Sequence, residues 1–149
     1  MNLRRQARQI AIEYLYQRNL AGESDRPVEE DLAVLPTAEK HAPSARPFAA
    51  DLVRGVLARI ETLDGKIRQY AQNWSLERIA AVDRAILRLA IYEMLFRDDI
   101  PPVVSINEAI DLAKEYSSAD SGRFVNGILD RVKLELNRPL RTVAGAPRA

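Results

Sequence analysis

Residues 105–132 read SINEAIDLAKEYSSADSGRFVNGILDRV and contain two amphipathic segments joined by a polar turn. In each segment apolar residues recur three and four positions apart, which places them on one face of a helix. The turn, residues 117–122, supplies side-chain oxygens that can cap the second helix. The stretch therefore predicts two consecutive helices. Their apolar stripes are Ile106, Ala109, Ile110 and Ala113, and then Val125, Ile128, Leu129 and Val132.

The same spacing extends over most of the chain and predicts an all-α fold. No segment shows the alternation of apolar and polar residues that is typical of a strand. Residues 22–47 contain four prolines, and most of this segment is predicted as a loop. Helices are expected over residues 3–20, 48–71, 76–97 with a bend near residue 80, 103–116 and 121–137, and a shorter one over 28–35.

A weak internal repeat suggests two similar helical bundles, although chance similarity between amphipathic helices is an equal alternative. Residues 52–60 resemble residues 124–132, with Gly55 matching Gly127. Because glycine inside a helix costs roughly 1 kcal/mol relative to alanine, the matched glycines suggest that helices approach closely at both. The predicted divisions are an N-terminal bundle over 1–73 with a basic first helix, a C-terminal bundle over 74–138, and a flexible tail over 139–149.

Composition narrows the class of protein. The 149 residues fit one domain or two small subdomains, and the net charge is only +1, so any nucleic-acid binding must come from a local basic patch. There is no cysteine, which excludes disulfides and thiolate zinc sites and suits a reducing cytoplasm. No apolar run approaches the roughly 20 residues that span a bilayer, and the N-terminus lacks the apolar stretch of a secretory signal.

Little in the sequence favours an enzyme. The single histidine, His41, falls in the proline-rich segment and is expected to be solvated. There is no histidine pair for a metal, no glycine-rich phosphate loop and no Ser/His/Asp set, so neither a metal nor another cofactor is expected. The adjacent acids at 29–31 and 98–99 are more typical of solvated surface.

The first helix carries a candidate RNA surface. On a helical wheel Arg5, Arg8, Ile12 and Tyr16 lie opposite the apolar face, with Arg4 on the flank. Guanidinium groups suit phosphate oxygens, and a tyrosine ring can stack on an unpaired base. The alternative is an ordinary solvated helix face.

Five ordered blocks of sequence resemble the NusB transcription-antitermination family. The resemblance implies a fold of two three-helix bundles. It also implies binding to boxA, a short single-stranded element of ribosomal RNA transcripts, together with NusE, a small-subunit ribosomal protein. The complex would join RNA polymerase and other Nus factors to suppress termination, and the resemblance also allows a homodimer. The blocks are residues 4–8, 14–17, 51–56, 82–88 and 105–132.

The resemblance also implies which residues lie on the RNA side, and Gln6 departs from it because some members carry arginine there. A carboxylate near RNA makes sense as an acceptor from base amino groups. Each position has an alternative: Asp120 could cap the last helix, Phe124 could be partly buried, and Glu77 and Asp83 could be surface acids. A helical oligomerisation scaffold without specific RNA binding is the alternative function. The implied RNA-binding residues are Arg4, Arg5, Arg8, Tyr16, Glu77, Asp83, Asp120 and Phe124.

Overall fold

Helices dominate the computed structural model, which describes residues 2–72 and 74–143. This part of the chain forms seven α-helices and contains no strand, so the all-α prediction is confirmed. Short 3₁₀ turns occupy Ala38–Lys40, Pro43–Ala45 and Leu76–Arg78. The helices are α1 (Leu3–Ala21), α2 (Val28–Ala33), α3 (Arg46–Ala58), α4 (Ile60–Tyr70), α5 (Ala81–Phe96), α6 (Pro102–Tyr116) and α7 (Ala119–Lys133).

Backbone contacts divide the chain into two compact units, the first ending at Ala58 and the second beginning at Arg59. The first unit contains α1 to α3, and the second contains α4 to α7. The sequence placed the boundary at residues 73–74, which would have grouped α4 with the N-terminal bundle. The difference arises because α4 packs against α5 and α7.

The expected single helix over residues 48–71 is interrupted at Arg59, whose φ of −123° and ψ of 20° lie outside the helical range. The apolar spacing continues across the break, since Val56 and Leu63 are both fully buried and seven positions apart. Periodicity alone therefore gave no sign of it. The break leaves α3 in the first unit and α4 in the second.

In the first unit α1 packs against α2, α3 and the turn before α3. Asn2 caps α1, its Oδ1 accepting from the amides of Arg4 (3.0 Å) and Arg5 (3.2 Å). The helix ends at Gly22, whose φ of 83° is readily adopted only by glycine. Tyr14 Oη donates to Asp31 Oδ2 at 3.1 Å and so ties α1 to α2.

In the second unit α5 contributes more buried residues than any other helix, and α6 and α7 form its most extensive helix pair. The helix expected over 76–97 begins only at Ala81, because Ile79 and Ala80 are extended after the 3₁₀ turn. The expected bend is thus a complete interruption. Fully buried side chains of this core include Leu63, Ile86, Leu87, Ile91, Met94, Ile100, Leu112 and Leu129.

The tight contact between α6 and α7 lies at Gly122, and the expectation of one at Gly127 is wrong. A Cβ on Gly122 would come within 2.9 Å of Lys114 Cγ. A Cβ on Gly127 would meet nothing within 4 Å, since Gly127 faces open space. The repeat pointed to the wrong glycine because Gly122 has no counterpart in the matching segment.

The segment after α7 is tied to the second unit. The Arg138 guanidinium donates to the backbone oxygens of Glu93 (3.1 Å), Met94 (3.0 Å) and Ile100 (3.0 Å), which caps the C-terminal end of α5. Leu140 O accepts from Val103 N at 2.9 Å. Of the tail predicted to be flexible, residues 144–149 lie outside the described part of the chain.

Candidate nucleic-acid interface

The exposed part of the first helix carries Arg4, Arg5 and Tyr16. Arg4 is exposed, and its guanidinium lies 4.7 Å from the centre of the Phe48 ring, a cation–π contact that holds it at the surface. Arg5 is half-buried, and Tyr16 is 37% exposed. These three side chains are at least partly exposed and lie on one helix.

Arg8 and Ile12 do not belong to this surface, contrary to the helical-wheel prediction. Arg8 is 3% exposed and Ile12 is 2% exposed. The wheel assumed a single core-facing side, whereas α1 is buried over most of its circumference, including Ala7 and Leu15. Of the four residues expected on this face, only Arg5 and Tyr16 remain at least partly exposed.

Gln6, which stands where some family members carry arginine, has a structural position in this chain. Its side chain is buried, and its Oε1 accepts from the backbone amide of Ala42 at 2.8 Å. The bond fixes the loop before α3 to the first helix. The departure from the family pattern is thus accompanied by a local tertiary contact.

In the second unit, Asp83, Asp120 and Phe124 converge on one surface cavity of about 280 Å³, here called the Asp83 cavity. Asp83 comes from the first turn of α5, and the other two come from the first turns of α7. Glu77 lies on the preceding 3₁₀ turn, is exposed, and does not line the cavity. The remaining lining residues are Trp74, Arg78, Ile79, Ala80 and Ser121.

Asp83 is an unusual carboxylate because it is only 6% exposed and incompletely hydrogen-bonded. Ser121 Oγ donates to its Oδ2 at 3.0 Å, while Oδ1 has no hydrogen-bond partner. Burial raises the pKa of Asp83, and the Ser121 hydrogen bond partly opposes that rise. An amino group that reached Oδ1 would supply the missing hydrogen bond.

Asp120 and Phe124 flank this carboxylate from α7. The N-cap of α7 is Ser118, whose Oγ accepts from Ser121 N at 3.1 Å, so the alternative role of Asp120 as the cap is wrong. Asp120 is exposed and forms an ion pair with Arg123. Phe124 is half-buried, which leaves part of its ring at the cavity.

Two lining residues were missed by the sequence reasoning. Trp74, the only tryptophan of the chain, is 52% exposed at the rim, and Arg78 adds a cation. A tryptophan outside every predicted apolar stripe was the available signal. Together with Phe124, Trp74 gives the cavity two aromatic surfaces on which a planar group can stack.

The described residues show neither a metal site nor a membrane span. Within residues 2–72 and 74–143 no group of three or more His, Asp or Glu side chains lies close enough together to hold a metal ion. None of the described helices combines the length and the apolar character that crossing a bilayer requires. His41 is half-buried beside a 3₁₀ turn, where the sequence predicted a solvated position.

The chain is similar in sequence to one family of known proteins. The NusB family model matches residues 5–133. A curated relative, transcription antitermination protein NusB of Geobacter sulfurreducens, is 47% identical over 132 residues, which cover 89% of this chain and 94% of that protein.

Solved structures agree with this match. NusB of T. maritima has a TM-score of 0.77 at 40% identity, covering 89% of this chain and 91% of that one. NusB in a crystal structure of antitermination factors NusB and NusE in complex with double-stranded RNA has a TM-score of 0.77 at 30% identity, covering 91% and 99%. Since the family model spans most of the sequence and the relatives match nearly end to end, this chain belongs to the NusB family.

Proposed function

We propose that this chain is a transcription antitermination factor that binds boxA-type single-stranded RNA of ribosomal RNA transcripts together with NusE. In that role it joins the RNA polymerase elongation complex with other Nus factors, acts in the cytoplasm and catalyses no reaction. The relatives' name and the solved complex of NusB with NusE and RNA support this role. The structural observation that carries it is the convergence of Asp83, Asp120 and Phe124 on one cavity.

The chemistry of the Asp83 cavity suits an unpaired base. Trp74 and Phe124 offer aromatic surfaces, and Asp83 lines the cavity with a carboxylate whose buried Oδ1 has no hydrogen-bond partner. A base that entered the cavity would stack on a ring and donate from its exocyclic amino group. Such a contact requires an unstacked base, which single-stranded RNA provides.

The first helix carries further proposed RNA contacts. Arg4 and Arg5 contact phosphate oxygens, and Tyr16 contacts a base or sugar. The exposure of Arg4 and Tyr16 and the partial exposure of Arg5 support this. Glu77, exposed on its turn, is a further proposed contact. Arg8 is left out of the proposed contacts because its side chain is buried.

The direct test is titration of a boxA RNA with the chain, in the presence and absence of NusE, against a scrambled RNA. Specific binding that NusE strengthens is expected. Binding no better than to the scrambled RNA in both conditions would contradict the proposal and leave the alternative of a helical oligomerisation scaffold.

A pair of exposed aromatic residues makes the test specific to the aromatic surface that borders the cavity. Trp74→Ala removes a stacking surface, so boxA affinity should fall about tenfold, the effect of one stacked base. Tyr116→Ala is the matched control, since Tyr116 is 44% exposed and does not line the Asp83 cavity. Equal affinities of the two variants would place the base contact elsewhere.

A further inference from the structure

A second groove of about 270 Å³ lies beside the Asp83 cavity, between the end of α4 and the outer face of α7. We call it the α7 groove. Trp74 and Phe124 line both depressions, so the two are continuous at the surface of the second unit. The residues that define the chemistry of the groove are Tyr70, Trp74, Arg123, Phe124, Gly127 and Arg131.

The charge of the α7 groove differs from that of the Asp83 cavity. Two carboxylates line the cavity, whereas none of the described residues that line the groove is acidic. Arg123 and Arg131 are both exposed and lie two helical turns apart on α7. Two guanidinium groups beside aromatic rings are the combination that binds the backbone and bases of a single strand.

Gly127 lies between these arginines and leaves the groove open. A Cβ there would meet nothing within 4 Å, so no part of the described chain packs into the space. Glycine at this position costs the helix about 0.5–1 kcal/mol relative to alanine, and no contact within the described chain requires it. The absent side chain instead gives a partner direct access to the backbone of α7.

From this continuity, charge and open floor, we propose that the α7 groove binds RNA nucleotides that flank the segment held in the Asp83 cavity. Arg123 and Arg131 contact their phosphates, and the exposed ring of Trp74 stacks on a flanking base. The inference rests on the proposed function, because it extends the path of the same RNA. It assigns the outer face of α7 as part of the RNA-binding surface.

The experiment compares a core boxA RNA with RNAs extended by several nucleotides at one end or the other, titrated with the chain bound to NusE. An extension at one end should tighten binding of the wild-type chain about tenfold. Arg131→Ala should remove most of that gain. It should also lower the salt dependence for the extended RNA by roughly 0.7 in log–log slope, the value of one single-strand phosphate contact.

Gly127→Leu tests the open floor, because a Cβ at this lining position has no protein atom within 4 Å and a larger side chain would narrow the groove. It should abolish the gain from the extension and leave binding of the core RNA unchanged. Gly65→Leu is the matched control, since Gly65 is an exposed helical glycine of α4 with nothing within 4 Å. Arg68→Ala is the control for Arg131, since Arg68 is exposed on α4 and lines neither depression.

The outcomes separate the two proposals. A core RNA that does not bind would contradict the proposed function itself. A core RNA that binds without any gain from either extension would overturn the assignment of the α7 groove alone. A gain that persists in Arg131→Ala and Gly127→Leu would overturn it as well. So would a loss of NusE binding in these variants without RNA, because the groove would then be a protein contact.

Discussion

The Asp83 carboxylate is destabilised by its own surroundings, and this gives the chain a specific pH dependence. Because burial raises the pKa of Asp83, the folded state holds this proton more tightly than the unfolded state. The group therefore favours folding at acidic pH, and its contribution is lost as the pH rises through the folded-state pKa. Near neutral pH the ionised Asp83 therefore lowers the free energy of unfolding.

Asp83→Asn should consequently raise the melting temperature at about pH 7, with a gain that shrinks towards about pH 4. The substitution keeps the size of the side chain and removes the buried charge. Thermal unfolding of both proteins across this range measures the effect. Asp98→Asn is the control, since Asp98 is exposed. A difference between Asp83→Asn and wild type that is independent of pH would refute the argument.

Arg8 and Arg4 lie four residues apart on α1 but should respond differently to truncation. Arg8→Ala removes a nearly fully buried side chain, so it should destabilise the fold by about 1–3 kcal/mol. Arg4→Ala removes an exposed cation over an aromatic ring, so its cost should be below about 1 kcal/mol. Chemical denaturation of the two variants compares them directly, and equal losses of stability would show that Arg8 is not a packing residue.

At the scale of elements, the α6–α7 pair offers two glycines with opposite expected behaviour. Gly122→Leu should destabilise the protein by about 1–3 kcal/mol, because even a Cβ would come within 2.9 Å of Lys114 Cγ. Gly127→Ala should stabilise it by about 0.5–1 kcal/mol, because the position is helical and open. Urea unfolding of both variants tests this. Shifts of the same sign would mean that the contact with Lys114 does not limit the size of the side chain at Gly122.

The end of α5 depends on a residue far along the chain. Arg138 donates to the backbone oxygen of Met94, in the last turn of α5, and to that of Ile100, in the turn that follows, so Arg138→Ala removes a charged donor from both part-buried carbonyls. We expect a loss of about 2 kcal/mol, as for hydrogen bonds that involve a charged group. Arg141→Ala, at an exposed position, should change stability little. Comparable melting temperatures for the two variants would exclude the capping role.

The elements show what apolar spacing can and cannot predict. It located the helical segments approximately, although it joined α3 and α4, because each buries apolar residues at helical spacing, as Val125 and Ile128 illustrate on α7. It missed the break at Arg59, where the spacing runs through, and predicted only a bend where Ile79 and Ala80 interrupt the helix, since neither break contains a glycine or proline. These breaks depend on which helices each segment packs against, and local apolar spacing does not contain that information.

The candidate site was also predicted only in part. Asp120, Phe124 and Asp83 were predicted from a family pattern, and they share a cavity. For two other residues the prediction failed because the sequence does not show burial. Arg8 has a side chain suited to phosphate but is buried, whereas Trp74 was not predicted to belong to the site and is exposed. A helical wheel cannot distinguish these cases, because it assumes that each helix has one covered side.

For the whole molecule, a net charge of +1 means that RNA attraction must be local and limited. The cations proposed to contact phosphates are Arg4, Arg5, Arg123 and Arg131. With roughly 0.7 in log–log slope per single-strand phosphate, binding of a long boxA RNA should show a slope of about −3 between 50 and 200 mM salt.

Replacing Arg4 and Arg5 together with alanine should reduce the magnitude of that slope by about 1.4, because two phosphate contacts are lost. Arg46→Ala with Arg68→Ala is a control that removes the same charge outside the proposed RNA surface. Fluorescence titrations over the salt range give both slopes. A wild-type slope steeper than about −6 would mean that a broad basic field, rather than these four side chains, attracts the RNA. An unchanged slope in the Arg4 and Arg5 double variant would remove the first helix from the phosphate contacts and leave α7 as their source.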